Sequence, residues 1–129
     1  HLHTPIFASS KGQQPLYLVG ALHPTPAVAG LPQREALSWL RTLEPFDRGN
    51  YAAPIGWIDI NGDAEFRVAI RSGYARGNNL ELIAGAGLVK GSSVEGELQE
   101  VGLKFEVIAD QLNLDQYSQS NSFRRRSIT

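Results

Sequence analysis

Residues 85–104 read Gly-Ala-Gly-Leu-Val-Lys-Gly-Ser-Ser-Val-Glu-Gly-Glu-Leu-Gln-Glu-Val-Gly-Leu-Lys, a glycine-punctuated strand end that runs into a helix. Val94, Leu98, Val101, Phe105, Ile108 and Leu112 recur at alternating steps of four and three, so the spacing predicts one long helix over 93–113 with a core-facing stripe. Whatever precedes this helix must supply the surface that the stripe covers. Glu97, Glu100 and Lys104 fall at i, i+3 and i+7 and therefore share one face. Each stands one residue before Leu98, Val101 and Phe105, which puts the polar row at the border of the buried stripe, at the lip of a cleft. Two glutamates beside a lysine suit a divalent metal and an anion, such as a magnesium-bound carboxylic acid. The alternative is a solvated flank in which Glu100 and Lys104 make an i, i+4 ion pair worth ~0.3–0.5 kcal/mol.

Upstream, 14–22 is dense in apolar side chains and reads as a short buried helix with Pro15 in its first turn, ended by His23-Pro24-Thr25-Pro26. A second helix is expected over 32–43, with Ala36, Leu37, Leu40 and Leu43 on one face, stopped by Glu44-Pro45. From residue 52 the period becomes two. Phe66, Val68 and Ile70 alternate with Arg67, Ala69 and Arg71, and three antiparallel strands are predicted, about 52–59, 64–75 and 79–89. The fold class is therefore α+β, an antiparallel β-meander with flanking helices. Beyond Leu114 the chain is polar and aperiodic, so 114–129 is expected to be a disordered tail after a folded 1–113, with Arg124, Arg125 and Arg126 solvated.

Bulk properties narrow the function. At 129 residues with 42% hydrophobic content, the chain supports one modest core and is too short for two. Twelve basic against 13 acidic residues leave a net charge of -1, which makes no electrostatic case for nucleic acid or an anionic membrane. Without cysteine there is neither a disulfide framework nor a thiolate metal site. No apolar run reaches the ~20 residues that span a bilayer, and no secretory pattern opens the chain, so the expectation is a cytoplasmic protein. The absence of methionine leaves the chain as given without an initiator, and a piece of a longer protein is expected.

Other candidate sites are weaker. Asp59-Ile60-Asn61-Gly62-Asp63 has the look of a calcium loop, but the twelfth position, which needs a glutamate, is Ile70, and Asn-Gly suits a tight turn. His1, His3 and His23 lack metal-ligand spacing, and Ser9, Ser10, Ser92 and Ser93 lack a nucleophile elbow. Arg71 on an exposed strand face has an ordinary reading as a solvated arginine. Its functional reading draws on Gly85 and Gly87 in the neighbouring strand, where glycine invites close approach of a ligand. Amide donors at Gly85 with the Arg71 guanidinium would cradle a carboxylate, and Tyr51 at the entrance to the first strand would add a hydroxyl.

His23-Pro24-Thr25-Pro26-Ala27-Val28-Ala29-Gly30-Leu31-Pro32, Glu44-Pro45-Phe46-Asp47-Arg48-Gly49, Gly56-Trp57-Ile58-Asp59, Ala69-Ile70-Arg71-Ser72, Ala84-Gly85-Ala86-Gly87 and Glu97-x-x-Glu100-x-x-x-Lys104 occur in this order. Together they resemble the carboxy-terminal part of the chorismate-utilising enzymes, and within them the isochorismate synthases. The resemblance covers 1–113 and favours the functional readings of Arg71 and of the Glu97, Glu100, Lys104 row. It implies that the chain is the C-terminal portion of that family's α/β sandwich of two large sheets. It implies Mg2+ as cofactor, with Glu100 a direct ligand and Glu97 a second acidic contributor, and chorismate as substrate. Arg71, Tyr51, the backbone at Gly85 and Lys104 match positions that hold carboxylates, and His1 resembles a histidine lining the same pocket. The implied reaction adds water at ring C2 as the C4 hydroxyl departs, feeding quinone (menaquinone) or siderophore synthesis. The family's general base, general acid and a further metal-binding glutamate lie in a region that would precede His1, so this chain alone is expected to be inactive. It is also expected to need that N-terminal part, or to self-associate through a face normally buried. Ala27, where salicylate synthases tend to carry threonine, favours isochorismate as product. A salicylate synthase, another chorismate-utilising enzyme, or a noncatalytic binding or assembly domain on the same scaffold are the competing readings.

Overall fold

The computed structural model describes residues 5–113 and, as backbone, 124–128. Its elements are α1 (Pro15–Leu22), α2 (Pro26–Ala29), α3 (Gln33–Leu43), β1 (Pro54–Ile58), β2 (Ala64–Val68), β3 (Ser72–Arg76), β4 (Asn79–Gly85), α4 (Val94–Gln111) and β5 (Arg124–Ile128). The α+β class with antiparallel strand pairs and flanking helices is the one expected. The described residues contain no helix long and apolar enough to cross a membrane.

The strands form two sheets rather than one meander. β1 and β2 pair antiparallel from Pro54↔Val68 to Ile58↔Ala64, and β3 and β4 pair antiparallel from Ser72↔Ile83 to Arg76↔Asn79. The strand expected over 64–75 breaks at 69–71. There the Ile70 N–H turns back to the Val68 carbonyl at 2.9 Å, and Arg71 takes a left-handed φ of 49°. Period-two alternation survives such a break, which is why the pattern does not reveal it. The β1–β2 turn closes on Asp59, whose carboxylate accepts from the Asn61 and Asp63 N–H groups at 2.8 and 2.9 Å, while Gly62 supplies a φ of 91°. That is a hairpin turn with its acidic group spent on its own backbone. At Gly56, opposite Phe66, a Cβ would lie 2.0 Å from the Glu65 carbonyl oxygen, so only glycine fits.

β4 is the centre of what core there is. Leu82, Ile83 and Ala84 are all buried, Leu82 and Ala84 against Val101 and Phe105 of α4, and Ile83 on the other face against Tyr51 and Ala52. Ser93 caps α4, its Oγ accepting from the Gly96 N–H at 3.1 Å. The expected stripe of α4 is buried only in part: Val101 and Phe105 are covered, whereas Leu98 is 50% exposed and Val94 71%. A seven-residue strand is too short to cover an 18-residue helix, so the ends of the stripe overhang it. The reading of 14–22 as a buried helix is also corrected. α1 forms where expected but has no buried residue, because nothing in the described residues packs over Leu16 or Tyr17.

Residues 124–128, within the stretch expected to be a tail, pair in parallel with β4, from Glu81↔Arg124 to Gly85↔Ile128. A strand paired on one side only offers a row of free backbone groups, and a polar segment satisfies them through its main chain regardless of its side chains. Residues 114–123 and 129, and His1 of the expected site, lie outside the described residues.

Phe105→Ala should cost ~3–5 kcal/mol in urea unfolding, since the ring is 4% exposed and its loss leaves a cavity beside Leu82. Leu98→Ala, on the same predicted stripe but half exposed, should change stability by ~0.5 kcal/mol or less. Equal losses would contradict this placement of α4.

Candidate carboxylate and metal site

The end of β4 and the second and third turns of α4 meet through one side chain. The Lys104 Nζ donates to the Gly85 carbonyl oxygen at 2.7 Å and to Glu100 Oε1 at 2.5 Å. Helical side chains lean toward the N-terminus, which directs Lys104 back over Glu100 and the strand end. Lys104 is largely covered while Glu100 stays open to solvent, with side-chain exposures of 19% and 54%. An ammonium has three donors, so one remains for an anion. One turn earlier, Glu97 Oε2 is buried with no hydrogen-bond partner. A carboxylate oxygen removed from water and left unpaired is costly, and such atoms mark places where a ligand completes the structure.

A second group lies on the other face of β4. Residues 48–51 form a turn in which Tyr51 N–H donates to the Arg48 carbonyl oxygen at 2.8 Å, with Gly49 at a φ of 55°. The turn delivers the Tyr51 ring onto Ile83, with Val28, Phe46, Val68 and Tyr74 around it. Burial holds the Tyr51 phenol above the usual tyrosine range, while the Arg48 and Arg71 guanidinium groups pull it down and the Glu44 carboxylate pushes it up. Arg71 sits in the left-handed joint between β2 and β3, not on a regular strand face.

The structure thus joins Gly85, Glu100 and Lys104 by hydrogen bonds, with Glu97 one helical turn before Glu100, and seats Tyr51 on the other face of β4, while no hydrogen bond or ion pair joins Arg71 to either group among the described residues. Both attach to β4 two residues apart, at Ile83 and Gly85, a span of roughly 7 Å along a strand. The contact that Gly85 makes uses its carbonyl, with Lys104, rather than the amide foreseen for it, and β4 ends at Gly85 so that Gly87 lies outside the sheet. Among the described residues no three His, Cys, Asp or Glu side chains cluster as a metal site. One feature of the neighbourhood went unremarked in the sequence. Glu44 and Arg48 form a bidentate ion pair beside Tyr51, at 2.6 and 2.7 Å. The i, i+4 spacing was visible, but Pro45 ends the helix between them and removes the usual reason to pair such residues.

An α+β unit that sets a lysine beside a pair of glutamates at a strand end, with a buried tyrosine on the other face of the same strand, carries groups suited to a small acidic ligand. The chain belongs to the chorismate binding enzyme family, whose description matches residues 1–113. It is 45% identical over 107 residues to isochorismate synthase MenF of Bacillus subtilis, covering 82% of this chain and 23% of that protein. It is 40% identical over 115 residues to isochorismate synthase EntC of Escherichia coli K12, covering 88% of this chain and 29% of that one. Among solved structures it resembles DhbC from Bacillus anthracis, described as a 2,3-dihydroxybenzoate-specific isochorismate synthase. The TM-score is 0.70 at 38% identity, over 81% of this chain and 28% of the other. The chain spans about a quarter of the length of the curated relatives it matches.

Because the Tyr51 phenol is held high, the unfolded chain releases its proton from pH ~10 while the native chain still keeps it. Stability contributed by this group is complete below pH ~10 and declines as pH rises through the folded value. Absorbance titration at 295 nm should show a late tyrosine step whose amplitude Tyr51→Phe lowers, Tyr74 being raised as well; an amplitude unchanged in that variant would contradict the burial described.

Proposed function

We propose that this chain is the C-terminal segment of a magnesium-dependent isochorismate synthase, which converts chorismate to isochorismate by adding water at C2 as the C4 hydroxyl leaves. The single observation that carries the reading is the unpartnered, buried Glu97 Oε2, one turn from Glu100 and two from Lys104. Family membership and the names of the relatives support the substrate and the reaction.

The donor set fits magnesium. Glu97 and Glu100 offer hard carboxylate oxygens on one helix face, and Mg2+ ordinarily takes one or two protein carboxylates and completes its shell with water and substrate oxygens. Glu100 and Glu97 would hold it, and when bound it would polarise a substrate carboxylate and offset its charge. Lys104, anchored on the Gly85 carbonyl, keeps a donor for an anionic oxygen. Arg71 supplies a second cation, whose fork matches a carboxylate in two parallel hydrogen bonds. Tyr51 offers a hydroxyl. These groups bind and orient a dianion. No lysine or carboxylic acid in this chain matches the family's proton-transfer positions, so the chemistry needs polypeptide from outside it.

The test is conversion of chorismate by the protein expressed from its full reading frame, followed chromatographically with and without EDTA. Magnesium-dependent isochorismate should appear, and Glu97→Gln or Glu100→Gln should lower kcat/KM by about 100-fold or more, as expected for losing a metal-site group. The isolated chain should show no turnover. Full-length protein that leaves chorismate untouched, or variants that match the wild type, would sink the reading. Salicylate as the released product would move the assignment to that sister activity.

A further inference from the structure

Arg48 is committed almost entirely to holding the protein together around Tyr51. Its Nε and Nη2 donate to Glu44 Oε2 and Oε1 at 2.7 and 2.6 Å, and its Nη1 donates to the Val28 carbonyl at 2.8 Å. The Glu44 side chain is 9% exposed and that of Arg48 24%. A largely buried ion pair is poor evidence of stabilisation for its own sake, since desolvation offsets most of the attraction. What the pair does achieve is geometric. It ties the end of α3 at Glu44 to the end of α2 at Val28 and to the turn that carries Tyr51.

That turn needs restraint. Gly49 N–H donates to Asp47 Oδ1 at 2.9 Å, Tyr51 N–H donates to the Arg48 carbonyl, and Ala52 is held at a left-handed φ of 65° that a residue with a Cβ seldom adopts. Ala52 is fixed from its far side by donation to the Ala69 carbonyl at 2.8 Å, so Tyr51 sits between two anchors, Arg48 and the Ala52–Ala69 link. Val28, whose carbonyl Arg48 grips, and Phe46, which lies between the two charged partners in sequence, also pack against the cluster that holds the Tyr51 ring. The ring's walls and its backbone are thus set by the same guanidinium.

We infer that Arg48, oriented by Glu44, is the positioning residue that presents the Tyr51 phenol to the bound substrate; this rests on the proposed role of Tyr51 in holding a carboxylate. Arg48 acts through Tyr51 and need not touch the ligand. The planar fork, not the charge, is what the geometry uses, because lysine cannot make the two parallel bonds to Glu44 and still reach Val28.

A double-mutant cycle on full-length protein tests this. Arg48→Gln should weaken chorismate affinity by about tenfold when Tyr51 is present and have little further effect in Tyr51→Phe, the coupling expected of residues that act as one unit. Arg48→Lys should fail to restore affinity. The paired change Glu44→Gln with Arg48→Gln removes both charges together, avoids a lone buried ion, and should reproduce the loss. Additive effects of Arg48→Gln and Tyr51→Phe, or full rescue by lysine, overturn the inference. A ligand-free readout separates it from the functional assignment. The ring resonances of Tyr51 in this chain should shift in Arg48→Lys, and unmoved resonances refute positioning whether or not chorismate binds. If the wild type fails to bind chorismate while those resonances do shift, the substrate assignment fails and the clamp on Tyr51 stands.

Discussion

The structure depends on one strand being covered on both faces. Leu82 and Ala84 of β4 are wholly withdrawn from water on the α4 side, and Ile83 between them is buried on the other. Full burial of a leucine contributes ~1.5–3 kcal/mol, and no other strand in the described residues gathers three such positions in a row. α4 is held because Val101 and Phe105 sit on Leu82 and Ala84, and the loop bearing Tyr51 is held because Tyr51 and Ala52 sit on Ile83. Remove that strand and both halves of the candidate site lose their reference frame.

The site occupies the places where regular structure stops. Lys104 reaches the carbonyl at the last residue of β4, and Arg71 stands in the joint that divides the two sheets. Two non-glycine residues with left-handed backbones, Ala52 and Arg71, flank the link between Ala52, Ala53 and Ala69. Strain of this kind persists only where neighbours impose it, and it clusters where a side chain must be aimed. Here the aimed side chains are the Arg71 guanidinium and the Tyr51 phenol, with the Glu44–Arg48 pair behind the latter.

Away from β4 the chain is thinly covered. α1 buries nothing, and the β1–β2 hairpin leaves Ile55, Trp57 and Ile60 open, Ile60 at 99%. A two-stranded hairpin covered only in part on one face, at Phe66 and Val68, is marginal by itself, since it lacks the full partner layer that repays the entropy of ordering it. This is the surface of a chain that spans about a quarter of the length of its curated relatives.

Local pattern was enough to determine the positions of α1, α3, α4 and the β1–β2 turn, because helix and strand periods and the punctuation of Pro15, Pro45 and Gly62 act over a few residues. It was also enough to put Glu97, Glu100 and Lys104 on one face, and the order of six short motifs led to the chorismate binding enzyme family. Three matters were decided only in three dimensions. Which part of the α4 stripe is buried depends on the length of β4, so Phe105 is core and Leu98 is not. The break at 69–71 depends on how two sheets are joined, which alternation does not encode. The bond from Lys104 to the Gly85 carbonyl and the clamp of Arg48 on Glu44 and Val28 link residues 19, 4 and 20 positions apart. Contacts of that range, or across a helix-ending proline, leave no periodic trace in the chain, because only packing around β4 brings their atoms within bonding distance.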